Sequence, residues 1–271
     1  MQSYEIESLI RDHHLALLEL IRTASQAIMS IKDEGVLNTQ LKNDQSPVTQ
    51  ADLAAHQIIY NGLNTLFPHI LVVSEEDSRS HHQRVNETVY WLVDPLDGTK
   101  EFINGFDDFT VNIALIVRDE QGLGYTRFGL MSLPMQGIYY SGGIDFGSQQ
   151  HRWAEGSWTS QSISVTQPHS PLRVVTSRSH LTQTTLDYVE RLETATTLVK
   201  AGNASKLCLI AQGEADLYPR LSPICEWDIA AGHAILEGAG GMVRQIDETQ
   251  LITYGGKQSI ILDGLLARGA C

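Results

Sequence analysis

The pattern of apolar residues changes near residue 170, and this change constrains the fold more than any other feature of the sequence. Before it, residues 109–117, 124–131 and 137–140 have the pattern of successive antiparallel strands. After it, short apolar runs alternate with helical patterns: strands at 172–176, 197–199 and 215–218, and helices at 182–192, 205–211 and 228–237. This alternation is typical of βαβ units.

The segment between the two patterns, residues 166–171, reads Thr-Gln-Pro-His-Ser-Pro and is the best candidate linker. We therefore predict an N-terminal α+β part over residues 1–166, with an antiparallel sheet and most of the candidate metal ligands. Residues 167–271 are predicted to form a C-terminal α/β part. A length of 271 residues agrees with two domains, or with one large domain that has two halves.

Two helices are predicted before the first strand. Apolar residues recur at three- and four-residue steps over residues 6–28. Thr49 and Asp52 resemble a capping box that begins a second helix, and Pro68 ends it. Strands are expected at 70–74 and 89–93, and the polar segment 77–87 between them is expected to be a mobile loop.

The charge of the chain excludes some classes of partner. Lys and Arg number 19 against 32 Asp and Glu, which gives a net charge of −13. Nucleic-acid polymers and anionic membrane surfaces are bound through clustered basic residues, so neither is an expected partner. No apolar run approaches the roughly 18 residues of a membrane span. The 3 cysteines form no CxxC pattern, and we expect reduced thiols in a cytoplasmic protein.

Acidic residues recur where predicted strands end or helices begin. Glu75 follows one apolar run, Asp94 and Asp97 follow the next, and Asp228 begins a predicted helix. Pro95 and Gly98 permit a tight turn in which carboxylates three residues apart converge. Mg²⁺ takes oxygen ligands, so these side chains are candidate ligands, and the carbonyl of Leu96 is another.

A simpler interpretation is that Asp-Pro-Leu-Asp-Gly is only a turn, since Asp, Pro and Gly all favour turns. The recurrence of acidic residues at 75, 94, 97 and 228 favours a cation site instead. Carboxylates gathered without cations would repel one another and raise their pKa values. The turn at Gly98 and Thr99, followed by Lys100, is a candidate phosphate site, because a helix start directs N–H groups at an anion.

Four segments resemble the inositol monophosphatase superfamily of Mg²⁺-dependent, lithium-sensitive phosphatases. Residues 91–102, Trp-Leu-Val-Asp-Pro-Leu-Asp-Gly-Thr-Lys-Glu-Phe, are similar to its first signature. Residues 226–235, Glu-Trp-Asp-Ile-Ala-Ala-Gly-His-Ala-Ile, are similar to its second. Segments 74–77 and 46–52 match its other acidic segments in the same order. Within the family, residues 100–102 of the first signature and three further segments, 109–115, 177–180 and 217–220, resemble the bacterial 3′(2′),5′-bisphosphate nucleotidase branch.

The resemblance implies a layered α+β and α/β fold of alternating helices and sheets, with two to three Mg²⁺ ions between the two parts. One ion would be bound by Glu75, Asp94 and the carbonyl of Leu96. A second would be bound by Asp94, Asp97 and Asp228. Asp52 would lie near a third ion and orient Thr99, whose hydroxyl positions the attacking water.

The resemblance also implies a substrate site. The backbone N–H groups of Gly98 and Thr99 would bind the scissile phosphate, with Lys100 beside them. The residues that fall where this branch holds the nucleotide are Ser177, Arg178, Lys206, Tyr218 and Arg220. The implied reaction is the hydrolysis of 3′-phosphoadenosine 5′-phosphate to AMP and phosphate. Alternatives are the same chemistry on an inositol or sugar phosphate, and a catalytically silent sensor that binds nucleotide or metal.

The sequence departs from the branch in two places. Residues 202–206 read Gly-Asn-Ala-Ser-Lys where a Gly-Ser-Ser-Leu-Lys-like segment is usual, so Ser205 is not assigned as a ligand. The tail, residues 254–271, lacks the usual Asn-Pro-Gly ending and receives no function. The doublets at 13–14 and 81–82 are histidine pairs without metal-ligand spacing, and they also receive none. The oligomeric state stays undetermined.

Overall fold

The computed structural model describes residues 3–35, 39–41, 47–178, 181–202 and 204–270. The helices in these ranges are α1 Ser3–Glu34, α2 Gln50–Leu66, α3 Ser78–His81, α4 Thr99–Ile103, α5 Gln183–Glu190, α6 Ser205–Ala211 and α7 Glu226–Gly238, with short 3₁₀ turns at Gln83–Asn86 and Pro134–Gln136. None of the helices in the described ranges is long and apolar enough to cross a membrane.

A seven-stranded sheet is the centre of the N-terminal half, with a small antiparallel pair before it. The pair is β1 Gln40–Leu41 and β2 Pro47–Val48. The sheet has the order β3-β4-β5-β6-β7-β8-β9, and its strands are β3 Leu71–Ser74, β4 Val89–Asp97, β5 Thr110–Arg118, β6 Gly124–Leu133, β7 Ile138–Gly143, β8 Gly147–Ala154 and β9 Ser157–Ile163. Strands β3 and β4 are parallel, and the other neighbours are antiparallel.

A five-stranded sheet of order β11-β10-β12-β16-β14 is formed by the C-terminal half. The strands of this half are β10 Leu172–Ser177, β11 Thr196–Ala201, β12 Leu217–Arg220, β13 Ile224–Cys225, β14 Met242–Arg244, β15 Ile261–Leu262 and β16 Leu265–Arg268. Strand β10 is parallel to both of its neighbours, as βαβ units require, while β16 is antiparallel to β12 and β14. Strands β13 and β15 pair separately.

Buried apolar side chains join these elements into alternating layers. Helices α1 and α2 cover one face of the large sheet, where Ile21 and Ile59 pack with Trp91. Helices α6 and α7 lie between the other face and the smaller sheet, and one cluster includes Leu92 and Ile235. Helix α5 covers the outer face of the smaller sheet. The expected layered fold is thus confirmed.

The predicted division into two domains at residue 166 stays a prediction. The two sheets take their strands from either side of residues 164–171. However, the core cluster around α6 and α7 includes side chains from both halves, such as Met131 from β6 and Val175 from β10. This shared core ties the halves together along α7.

Two features differ from the sequence predictions. The segment 77–87, predicted as a mobile loop, contains α3 and a 3₁₀ turn, and Arg84 within it is completely buried. Strands β8 and β9 form a hairpin that the pattern did not predict. Their residues are largely polar because the hairpin lies at the edge of the sheet, and its turn has positive φ at Glu155 and Gly156.

Candidate active site

Strand β4 carries the first pair of acidic residues. Asp94 lies opposite Asn112 of β5, and the pairing is irregular between Asp94 and Asp97, where Pro95 intervenes. The chain then turns at Gly98, which has a φ of +96°. A Cβ at Gly98 would lie 2.8 Å from the carbonyl oxygen of Asp108, so both the conformation and the space require glycine.

Carboxylates from distant parts of the chain meet at the end of β4. Asp94, Asp97 and Asp228 each offer an oxygen, and these oxygens lie within 4.8 Å of one another. Asp228 is the third residue of α7 and accepts a hydrogen bond from the N–H of Cys225 at 3.3 Å. Glu75 follows β3, and its carboxyl hydrogen-bonds that of Asp94. The topology therefore brings together the four acidic side chains that the sequence singled out.

The electrostatics of this cluster favour a bound cation. Burial raises the pKa of Asp94 well above its usual range, and repulsion by Glu75, Asp97 and Asp228 raises it further. The pKa of Asp228 is raised in the same way. Across from Asp94, the buried Oδ1 of Asn112 has no hydrogen-bond partner among the described residues. Hard oxygen donors held close against their own repulsion fit a divalent cation such as Mg²⁺.

Thr99 connects this cluster to Asp52. The Oγ1 of Thr99 lies 2.9 Å from Oδ1 of Asp52 and 3.2 Å from the carbonyl oxygen of Leu96. Asp52 is buried and also accepts hydrogen bonds from the N–H and hydroxyl of Thr49 at 2.8 and 2.6 Å. Burial raises the pKa of Asp52, and the hydrogen bonds from Thr49 and Thr99 act against this increase. The predicted pairing of Thr99 with Asp52 is thus present in the structure.

A cleft of about 170 Å³ adjoins the carboxylates. The predicted site residues that line it are Asp97, Gly98, Ser177, Lys206, Tyr218, Arg220 and Asp228. Lys100 and Arg178 do not line it. Lys100 is exposed on α4, while the side chain of Arg178 is 55% exposed and forms an ion pair with Asp108. Residues 46, 179, 180 and 203 of the motifs lie outside the described residues.

A buried cation faces the acidic residues across the cleft. Lys206 donates a hydrogen bond to the carbonyl of Gly202, and its Nζ lies 5.5 Å from the ring centre of Tyr218. Burial lowers the pKa of Lys206 to about 8, although Asp97 acts to raise it. Tyr218 is buried beside Arg220, whose guanidinium donates to the carbonyl of Pro223 at 3.1 Å. The cleft therefore presents both carboxylates and cations to a ligand.

Several residues of the site were not predicted from the sequence. The N–H of Ala204 donates to Oδ2 of Asp97 at 2.7 Å and so fixes that carboxylate. Gly202 lies so close to Asp108 that a Cβ would be 2.4 Å from the aspartate's own Cβ. Glu101 lines the cleft, and its position in the Lys-Glu-Phe segment was a signal without an assigned role. Ile224 also lines the cleft, and no pattern in the sequence indicated this role.

The chain is similar in sequence to known proteins. A 3′(2′),5′-bisphosphate nucleotidase CysQ from Salmonella typhimurium is 41% identical over 248 residues, which cover 91% of this chain and 95% of that protein. The protein of the same name from Escherichia coli K12 is 42% identical over 83% of this chain and 87% of its own length.

A solved structure shows the same fold. It is the crystal structure of CysQ from Bacteroides thetaiotaomicron, described as a bacterial member of the inositol monophosphatase family. It matches with a TM-score of 0.81 and 31% identity, over 95% of this chain and 97% of the other. The model of the inositol monophosphatase family itself matches residues 11–268. The chain therefore belongs to the inositol monophosphatase family.

Proposed function

We propose that this chain is a Mg²⁺-dependent 3′(2′),5′-bisphosphate nucleotidase that hydrolyses 3′-phosphoadenosine 5′-phosphate to AMP and phosphate. The observation that carries the proposal is the convergence of Asp94, Asp97 and Asp228 beside the hydrogen-bonded pair of Thr99 and Asp52. The relatives that are 41–43% identical and carry this name support the choice of substrate.

The carboxylates are assigned to metal binding. Glu75, Asp94 and the carbonyl of Leu96 would hold one ion, and Asp94, Asp97 and Asp228 would hold a second. Asp52 would lie near a third, more weakly held ion. When bound, the ions lower the pKa of a water molecule and offset negative charge on the phosphate and the leaving oxygen. The observed donor set supports this assignment, since it consists of carboxylates and a backbone carbonyl.

Thr99 is assigned to orienting the attacking water. When its hydroxyl donates to Asp52, the lone pairs of its oxygen are free to accept a hydrogen bond from a water molecule. Asp52 cannot turn away because Thr49 donates to its other oxygen. The N–H groups of Gly98 and Thr99 would donate to the scissile phosphate, whose charge grows in the transition state.

The rest of the cleft is assigned to the nucleotide. Lys206 and Arg220 would bind the 5′-phosphate, and Tyr218 and Ser177 would contact the ribose or base. Arg178 would join them once the phosphate replaces Asp108 as its partner. Lys100, exposed beside the catalytic turn, would add positive charge at the entrance.

We also propose a cytoplasmic location. The 3 cysteines form no CxxC pattern, which supports reduced thiols, the usual state of cysteines in the cytoplasm. The proposed partners are this small nucleotide and the metal ions.

The proposal is tested by measuring phosphate release from three compounds in Mg²⁺, with and without Li⁺: 3′-phosphoadenosine 5′-phosphate, inositol 1-phosphate and fructose 1,6-bisphosphate. We expect the nucleotide to be hydrolysed with the highest kcat/KM. Faster release from inositol 1-phosphate or fructose 1,6-bisphosphate would favour the alternative substrates. Nucleotide binding without any phosphate release would favour the silent sensor.

A further inference from the structure

Arg84 is a completely buried charge outside the proposed site. Its Nε donates to Oε2 of Glu226 at 3.2 Å, and the two side chains are 0% and 4% exposed. Its other nitrogens donate to the main-chain carbonyls of His81 and of residues 257–259, the latter at 2.8–3.3 Å. Burial of a charge is strongly unfavourable unless it is paired and hydrogen-bonded, and Arg84 is both.

Glu226 connects Arg84 to Asp228. It is the first residue of α7, two positions before Asp228. Its second oxygen accepts the N–H of Gly255 at 3.1 Å, and its own N–H donates to the carbonyl of Ile260 at 2.9 Å. Because the helical backbone is rigid over two residues, contacts that fix the position of Glu226 also fix the backbone position of Asp228.

His81 connects Arg84 to Glu75. The carbonyl of His81 accepts from Arg84, and its Nε2 donates to the carbonyl of Ser74 at 2.8 Å. The N–H of Ser74, the residue before Glu75, donates to the hydroxyl of Ser80 at 3.2 Å. The ring of His81 also packs on Trp227, with the ring centres 4.9 Å apart. Arg84 thus joins the segment that carries Glu75 to the helix that carries Asp228.

We propose that Arg84 and Glu226 are positioning residues for divalent-metal binding, because their buried ion pair fixes Glu75 and Asp228 relative to each other. The inference rests on the metal site assigned under Proposed function. Mg²⁺ requires near-ideal octahedral geometry, whereas carboxylates without an ion repel and tend to separate. Groups that orient metal ligands typically contribute 10–100-fold to metal affinity, although they do not touch the ion.

The test is direct Mn²⁺ binding to the full chain, measured from the electron paramagnetic resonance signal of free Mn²⁺. Arg84→Lys keeps the charge, but an ammonium has three donors and no planar fork, so it cannot make all of these contacts. We expect its Kd for Mn²⁺ to rise about tenfold or more. The Mg²⁺ concentration that gives half-maximal phosphate release should rise in parallel, while kcat at saturating Mg²⁺ stays close to wild type.

Arg173→Lys is the matched control. Arg173 likewise donates to a buried carboxylate, that of Asp216, and to the carbonyl of Gly213, each at 2.8 Å. It lies near the start of β10, four residues before Ser177 at the end of that strand. We expect a lower Tm for this control with unchanged Mn²⁺ affinity. If Arg84→Lys also loses Tm but binds Mn²⁺ as tightly as the wild type, the pair only stabilises the fold and the proposal is overturned.

Two further variants complete the test. His81→Ala removes the half-buried side chain that holds Ser74 and leaves the ion pair in place, so it decides the matter if Arg84→Lys does not fold. Weaker Mn²⁺ binding supports the proposal, and wild-type affinity overturns it. Asp94→Asn tests the metal site itself. If Asp94→Asn binds Mn²⁺ as tightly as the wild type, the assigned metal site and the inference both fail. If Asp94→Asn loses Mn²⁺ binding while Arg84→Lys and His81→Ala keep wild-type affinity, only the inference is overturned.

Discussion

Replacing Asp94 by Asn should stabilise the metal-free protein while removing its activity. Asp94 is 1% exposed, and the charges that act most strongly on it are those of Glu75, Asp97 and Asp228. Asn has the same shape, and its Oδ1 can still accept the N–H of Leu96, which lies 3.1 Å away in the native protein. Its amide can also donate a hydrogen bond to the carboxylate of Glu75. The substitution therefore removes repulsion and keeps the hydrogen bonds.

The magnitude follows from the separation of the carboxylates. Two unit charges 4.8 Å apart, the upper limit for these oxygens, repel by about 3.5 kcal/mol at an effective dielectric constant of about 20. Proton uptake by Asp94 relieves part of this repulsion in the wild type. We therefore expect the substitution to raise the free energy of unfolding of the metal-free protein by about 1–3 kcal/mol. In a chain of this size that corresponds to a rise in Tm of roughly 2–6 °C. The pKa of Asp94 is raised in the folded state, so the penalty is absent below its unfolded pKa and grows as pH rises through the folded pKa.

The assay is thermal unfolding at about pH 8 in EDTA and in Mg²⁺, together with phosphate release. Asp94→Asn should melt above the wild type in EDTA, gain less than the wild type from Mg²⁺ and release no phosphate. Asp216→Asn is a control for which we expect the opposite change in stability. Burial acts to raise the pKa of Asp216, but hydrogen bonds from Arg173 outweigh it and lower the pKa to about 2. The free energy of unfolding of this control should be lower than that of the wild type by about 2 kcal/mol at neutral pH. A lower Tm for Asp94→Asn in EDTA, or a wild-type response to Mg²⁺, would refute the reasoning.

Three further predictions concern the cleft. Thr99→Val removes the hydroxyl that faces Asp52, and steady-state kinetics should show a fall in kcat of about a hundredfold or more with little change in KM. Lys206, with a pKa of about 8, is charged below that pH, so the KM for 3′-phosphoadenosine 5′-phosphate should rise between about pH 7 and pH 9; Lys206→Met should have a high KM throughout, and a wild-type profile in this variant would contradict the assignment. Asp108→Ala frees Arg178 from its ion pair, so the KM for the nucleotide should fall severalfold while hydrolysis of inositol 1-phosphate, which has no second phosphate, stays unchanged.

The sequence was most informative where burial and chemistry coincide in a short segment. The run at 89–93 is apolar throughout because β4 is buried on both faces, and the acidic turn follows directly from its end. The hairpin of β8 and β9 was missed because polar residues at a sheet edge lack the pattern of a buried strand. Its turn has positive φ at Glu155 and Gly156, and only Gly156 is of a residue type that marks such a turn in a sequence.

Contacts between distant residues could not be predicted in this way. An arginine in a polar segment, such as Arg84, is normally expected at the surface. Only the fold reveals that its partner is Glu226, 142 residues away. The hydrogen bond from Ala204 to Asp97 spans 107 residues and involves a backbone N–H, which leaves no trace in residue type. Motifs therefore identified the carboxylates, whereas the contacts of Arg84 and Ala204 that hold their segments in place came from the structure alone.

These two kinds of residue have opposite effects on stability. Asp94 and Asp228 are buried where burial and mutual repulsion raise their pKa values, so in the absence of cations they destabilise the fold. The pair of Arg84 and Glu226 and the hydrogen bonds around it act between the same segments and resist their separation. Because breaking a buried ion pair typically costs about 3–5 kcal/mol, this constraint is comparable in size to the repulsion between two of the carboxylates. A site strained in this way binds a divalent cation more tightly, since the ion removes repulsion that the fold already sustains.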